Sequence, residues 1–190
     1  MIIQLPRLHF LQSPNYSKRT APVDLIVVHS TQGGYSGAVS WFAQKQSGVS
    51  AHFVLREDGQ EAMQMVHLDY KAWHCVSYNS RSIGLEMAGY AEKGFSADEW
   101  QAAANIVAFL LNEYNLPAVW AKGGLGPGFC THHDLGAAGG GHTDPVAVGS
   151  DAWLKFVAMV QSIKKADIPS SWPFADAGRP PLDHSNLTDD

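Results

Sequence analysis

The sequence predicts an α/β domain in which a central, mostly buried mixed β-sheet is flanked by helices. Three observations carry that prediction. Two short apolar runs, DLIVVH at residues 24–29 and SIGLEMA at residues 82–88, have the make-up of buried strands. The dipeptide Asp58-Gly59 separates two short segments in the manner of a tight hairpin. Two longer segments repeat apolar residues at helical spacing between recognisable caps. The 190 residues, 45% of them hydrophobic, suffice for one core and are too few for two ordinary domains.

Element by element, residues 1–22 carry scattered prolines and polar groups and read as an extended arm without regular structure. Residues 24–29 follow as a strand covered on both faces, ending at His29. After the turn STQGGYSG, residues 38–46 suit a short helix through Val39, Trp41 and Phe42. Residues 51–56 and 61–66 pair as the hairpin around Asp58-Gly59, and residues 82–88 form another strand, with Glu86 set among apolar neighbours. Ser96 and Glu99 make a capping box for a helix that runs through Trp100, Val107 and Leu111 toward Pro117. A glycine-rich loop, residues 123–141, leads on to a last helix capped by Ser150 and closed near Lys164 and Lys165. That loop lacks a Walker lysine and Rossmann spacing, so its glycines are expected to bend the chain and not to cradle phosphate. The domain is expected to span residues 1–166, and the proline-rich acidic stretch 167–190 reads as a tail or linker.

A net charge of −5 and the lack of any basic run argue against nucleic acid as a partner, since phosphate binding needs clustered Lys and Arg. The opening MIIQLPRLHF has neither a basic leader nor a continuous apolar stretch, and no segment reads as a membrane span. Synthesis in the cytoplasm without a signal peptide, no membrane partner and a monomeric chain are therefore expected. Two cysteines, Cys75 and Cys130, make no disulfide framework, although one bridge between them is open.

The histidines carry the chemistry. His29 closes a buried strand, His132 and His133 stand in the glycine-rich loop, and His142 and Asp144 lie just ahead of the last helix. Imidazole nitrogen and carboxylate oxygen are zinc ligands, and three such ligands leave a fourth position for water. Taken singly, each has a plainer reading: a packed strand-end histidine for His29, turn chemistry for Asp144 before Pro145, a solvated edge for Glu86.

In order along the chain, VVHSTQG, SAHFVLREDGQ, AWH, YNSRSIGLEMAG and THHD with GGHTDP resemble the type 2 N-acetylmuramoyl-L-alanine amidases, over about residues 15–165. The family includes phage endolysins, wall-recycling amidases and peptidoglycan recognition proteins. The resemblance implies zinc held by His29, His132 and Asp144 in a surface groove at strand ends, with Glu86 as general base. It also implies that Trp73, His74 and Asn79 line the substrate groove. Two departures stand out: His142 occupies a position where many relatives carry lysine, and Ala51 a position where some phage members carry a catalytic tyrosine. His142 is expected to stabilise the oxyanion in lysine's place. The implied activity is hydrolysis of the bond between N-acetylmuramic acid and L-alanine in peptidoglycan, as a phage-type endolysin acting on the cell wall. The alternatives are a cytosolic muropeptide-recycling amidase, a non-catalytic peptidoglycan-binding protein, and a thiol hydrolase using Cys75 or Cys130 beside His74 or His132.

Overall fold

Residues 2–172 are described by the computed structural model. Their strands and α-helices follow the order β1 (Arg7–Phe10), β2 (Tyr16–Lys18), β3 (Leu25–Ser30), α1 (Tyr35–Phe42), β4 (Phe53–Leu55), β5 (Glu61–Gln64), β6 (Tyr70–Ala72), β7 (Ser82–Met87), α2 (Ala97–Glu113), β8 (Gly128–Thr131) and α3 (Asp151–Ser162). Six strands make one mixed sheet in the order β1-β5-β4-β7-β3-β8, antiparallel only between β4 and β5. The uninterrupted valines and isoleucines of β3 place it inside that sheet, where Leu25, Ile26, Val27 and Val28 are fully buried. Alternation then divides its side chains between two layers. Ile26 and Val28 join Ile83, Leu85 and Phe129 beneath Val107 of α2 and Trp153 and Phe156 of α3. Leu25 and Val27 face the other way with Cys130, Cys75 and Leu135.

Both long helices start where their caps predict. Ser96 Oγ accepts from the Glu99 amide at 3.1 Å, and Ser150 Oγ from the Trp153 amide at 3.4 Å. Only half of the expected capping box forms, because the Glu99 side chain turns inward and is 2% exposed. The β4–β5 turn lies directly on the start of α2: Ser96 Oγ donates to the Glu57 carbonyl, and a Cβ on Gly59 would come within 2.7 Å of the Asp98 carbonyl. Gly59, at φ +70°, is therefore required by both its conformation and its closeness to α2.

Several expectations are corrected. The arm at residues 1–22 contains β1, an edge strand parallel to β5, and β2, which pairs antiparallel with β6 in a separate ribbon. An edge strand is bonded on one side only, so polar and proline-rich flanks are compatible with it. The first helix lies earlier than residues 38–46, since Gln44 is extended and interrupts it. Part of the glycine-rich loop is a strand, β8, whose four residues are all buried. The stretch expected as a tail begins inside the domain: Trp172 stacks on Phe53 at 5.1 Å and donates its indole N–H to the Pro6 carbonyl at 2.8 Å. The remainder of that stretch, residues 173–190, lies outside the described residues. Cys75 and Cys130 are free and buried. Among the described residues, no helix is long and apolar enough to cross a membrane.

Candidate metal centre

The register of the parallel strands builds the site. His29 of β3 is paired with Glu86 of β7, so both side chains leave the same face at the carboxyl ends of adjacent strands. On the other side of β3, β8 runs parallel up to Thr131, and the His132 amide donates to the Val28 carbonyl at 3.0 Å. That bond sets His132 beside His29. The Asp144 carbonyl accepts from the His133 amide at 2.9 Å, and its carboxylate Oδ2 from the Ser30 amide at 2.9 Å. Residues far apart in the chain thereby meet. Nδ1 of His29 lies 2.9 Å from Nδ1 of His132, which lies 3.1 Å from Asp144 Oδ1. The potential ligand atoms of all three residues fall within 4.8 Å of one another.

The donor set suits a cation. A carbonyl can only accept, so the contact of His132 Nε2 with the Gly139 carbonyl at 2.8 Å puts a proton on Nε2, and it is Nδ1 that the ring turns toward His29 and Asp144 as the nitrogen available to a cation. Burial, then the neighbouring His132 and His74 rings, hold His29 well below the ordinary histidine range, which keeps it neutral. Burial alone would raise the Asp144 carboxyl, but the two imidazoles and the Ser30 amide outweigh it and bring it down to about 2. Two imidazoles and one carboxylate aimed at a common point are a donor set that a divalent metal takes.

Glu86 is 8% exposed, and its Oε2 has no hydrogen-bond partner among the described residues. Burial, and then the charge of Asp144, push its carboxyl well above the ordinary range. A carboxylate that holds protons more tightly than usual, with a free oxygen at a groove, is equipped for proton transfer. The groove measures about 270 Å³ and is bordered by Glu86, the three clustered residues, Trp41 and Trp73. His142 is exposed at its rim and stacks on the His132 ring at 4.7 Å.

The remaining site residues divide. Trp73 lines the groove, with its indole N–H directed away to Ser17 Oγ at 3.1 Å. His74 touches the groove but is bonded from behind to His29, Nδ1 to Nε2 at 2.9 Å. Asn79, expected in the groove, is instead a loop brace, its Oδ1 accepting from the His74 and Cys75 amides at 2.9 and 2.7 Å. His133 points away from the cluster, toward the Val146 carbonyl. His67 is buried edge-on against Phe10, away from the cluster. Sequence reasoning missed Trp41 as a groove wall, having placed it only as a residue of a short helix. Its 48% exposure beside the cluster marks the wall, and a helical period alone does not reveal that. The thiol reading fails on access and acidity: Cys75 lies 3.7 Å from His74 Nε2 but is 1% exposed with its thiol pushed up to about 12, first by burial, and Cys130 is fully buried with its thiol raised by the same cause.

A family model described as N-acetylmuramoyl-L-alanine amidase matches residues 19–147, a span that includes His29, Glu86, His132 and Asp144. The chain belongs to this family. N-acetylmuramoyl-L-alanine amidase A of Achromobacter lyticus is 33% identical over 128 residues, covering 64% of this chain and 68% of that protein. Among solved structures, the Staphylococcus aureus hydrolase AmiA in complex with its ligand superposes with a TM-score of 0.69 at 20% identity, over 87% of this chain and 88% of that one. A selenomethionine derivative of AmpD gives 0.60 at 26% identity, with 84% and 99% covered. PlyL gives 0.61 at 22% identity, with 84% and 98% covered, and bears on the fold of the family alone.

Proposed function

We propose that the chain is a zinc-dependent hydrolase of the amide bond between N-acetylmuramic acid and L-alanine in peptidoglycan. The observation that carries the proposal is the meeting of His29, His132 and Asp144 at strand ends, with a buried carboxyl that has a free oxygen, Glu86, in direct register with His29. Zinc bound there would supply Lewis acidity, polarising the scissile carbonyl and making water more acidic. Glu86 takes a proton from the attacking water through Oε2 as the C–O bond forms. When the C–N bond breaks, Glu86 returns that proton to the departing alanine nitrogen, so the carboxylate is regenerated. His142, exposed at the rim, donates a hydrogen bond to the oxyanion. Trp41 and Trp73 offer flat apolar faces to sugar and peptide.

Within that activity our reading is a phage-type lysin that acts on the intact wall. The groove is bordered by half-exposed Trp41 and exposed His142, and such an open rim admits a polymer. Mass analysis of the products from purified wall, with and without a chelator, tests the bond cut and the metal together. Free stem peptide beginning with L-alanine, lost on chelation and regained with zinc, is the expected result. Wall that is bound but never cut would overturn the proposal in favour of a binding protein. Clearing of wall suspensions separates a lysin from a recycling enzyme, which would digest soluble muropeptides only.

A further inference from the structure

We propose that His74 is a positioning residue that fixes which nitrogen of His29 faces the metal, through a hydrogen-bond relay anchored at the Tyr78 carbonyl. The proposal rests on the metal-site reading above and assigns His74 a task distinct from substrate contact.

The relay is read from its far end. The Tyr78 carbonyl can only accept, and Ser82 Oγ gives its single proton there at 2.8 Å. With that proton committed, Ser82 Oγ accepts from His74 Nε2 at 3.1 Å, a stronger partner for that nitrogen than Cys75 Sγ, whose thiol is only a weak donor, at 3.7 Å. A neutral imidazole carries one N–H, so His74 Nδ1 is then a lone pair. His29 Nε2 lies 2.9 Å from it and must donate. The His29 proton is thereby held on Nε2, and Nδ1 is left bare toward His132 and Asp144. His132 reaches the same state directly, through the Gly139 carbonyl.

The surroundings hold His74 in place. Gly84 lies beneath its ring, and a Cβ there would come within 2.7 Å of Nδ1. Asn79 Oδ1 accepts from the His74 amide, and the Arg19 guanidinium donates to the carbonyls of Leu68, Ser80 and Ser82, tying down the loop. Without an acceptor at His74, a buried N–H on His29 Nε2 would go unpaired. The proton would then be better placed on Nδ1, where the Asp144 carboxylate, 3.8 Å away, attracts it. A proton at Nδ1 competes with the metal.

The test measures zinc dissociation constants by competition with a chromogenic chelator, together with long-range 1H–15N spectra of the His29 ring in metal-free protein. His74→Phe is expected to weaken zinc binding about 10–100-fold and to move the His29 proton toward Nδ1. His74→Asn, which restores an acceptor oxygen near the same place, should recover most of the affinity, as a bulk packing role would not. Ser82→Ala frees the His74 tautomer and should shift the same ring signals. A His29 ring unchanged in all three variants, with zinc affinity within a factor of three of the parent, would overturn the relay. If His74→Phe does not fold, the other two variants decide alone. A parent protein that takes up no zinc would refute the function proposed above, while the metal-free spectra would still decide the relay.

Discussion

Replacing Glu99 with glutamine should stabilise the protein at alkaline pH and leave it unchanged in acid. The Glu99 side chain is 2% exposed under the β4–β5 turn, and its Oε1 has no hydrogen-bond partner among the described residues. Burial first, and then the charges of Glu57 and Asp58, raise its carboxyl from 4.5 to about 8. Between those values the folded chain keeps a proton that the unfolded chain has released. Its contribution to stability is therefore complete below pH 4.5 and is lost as pH rises through about 8. At about 1.4 kcal/mol per pKa unit, an unscreened shift of this size is worth about 5 kcal/mol. Relaxation of the folded chain around the charged carboxylate offsets part of this, so roughly 2–3 kcal/mol is expected. For a chain of this length that corresponds to about 5–10 °C in Tm. Thermal melts of Glu99→Gln and parent at pH 4, 6.5 and 9 should show a gap that opens with pH. Any fixed cost of the added amide appears at every pH and cancels from the difference. A gap that stays constant from pH 4 to 9 would refute the reasoning.

Glu86→Gln should lower kcat by about a hundred- to ten-thousand-fold while metal content, measured by atomic emission, stays at the parent level. Trp153, fully buried between Phe129 and Phe156, should cost about 3–5 kcal/mol as Trp153→Ala in urea unfolding. Trp153→Phe should cost clearly less, because the indole N–H it removes has no partner among the described residues. Both cysteines should resist an aromatic disulfide reagent at pH 8 in native protein and react on unfolding, since burial raises the pKa of each thiol. Rapid native labelling of Cys75 would contradict that account.

Much of the fold was legible because its central elements have strong local signatures. β3 and β7 are covered on both faces and so are written as unbroken apolar runs, while α2 and α3 begin at serines that do cap them. β1, β2, β6 and β8 have only three or four residues, too few to express a period, and their partners lie far away in sequence. At the site, His29, His132, Asp144 and Glu86 were readable from motifs that fix position along the chain. Direction was not readable. A loop residue has no periodicity to say where its side chain points, so Asn79 looked like a groove residue when it braces a loop, and the bond from His74, which does border the groove, back to His29 was not legible. Glu99 sits in a capping sequence, yet the hairpin turn packed over α2 draws it inward.

The bond from Trp172 to the Pro6 carbonyl, and that from the Ile3 amide to the Asp167 carbonyl, fasten the two extremities of the described chain together. During synthesis the first of these partners leaves the ribosome long before the second. Phe53 and Phe109, which Trp172 covers, must wait uncapped until translation has passed that tryptophan. A nascent chain stalled upstream of it would present a sticky aromatic face to chaperones, and the emergence of Trp172 would be the event that seals the barrier between core and solvent.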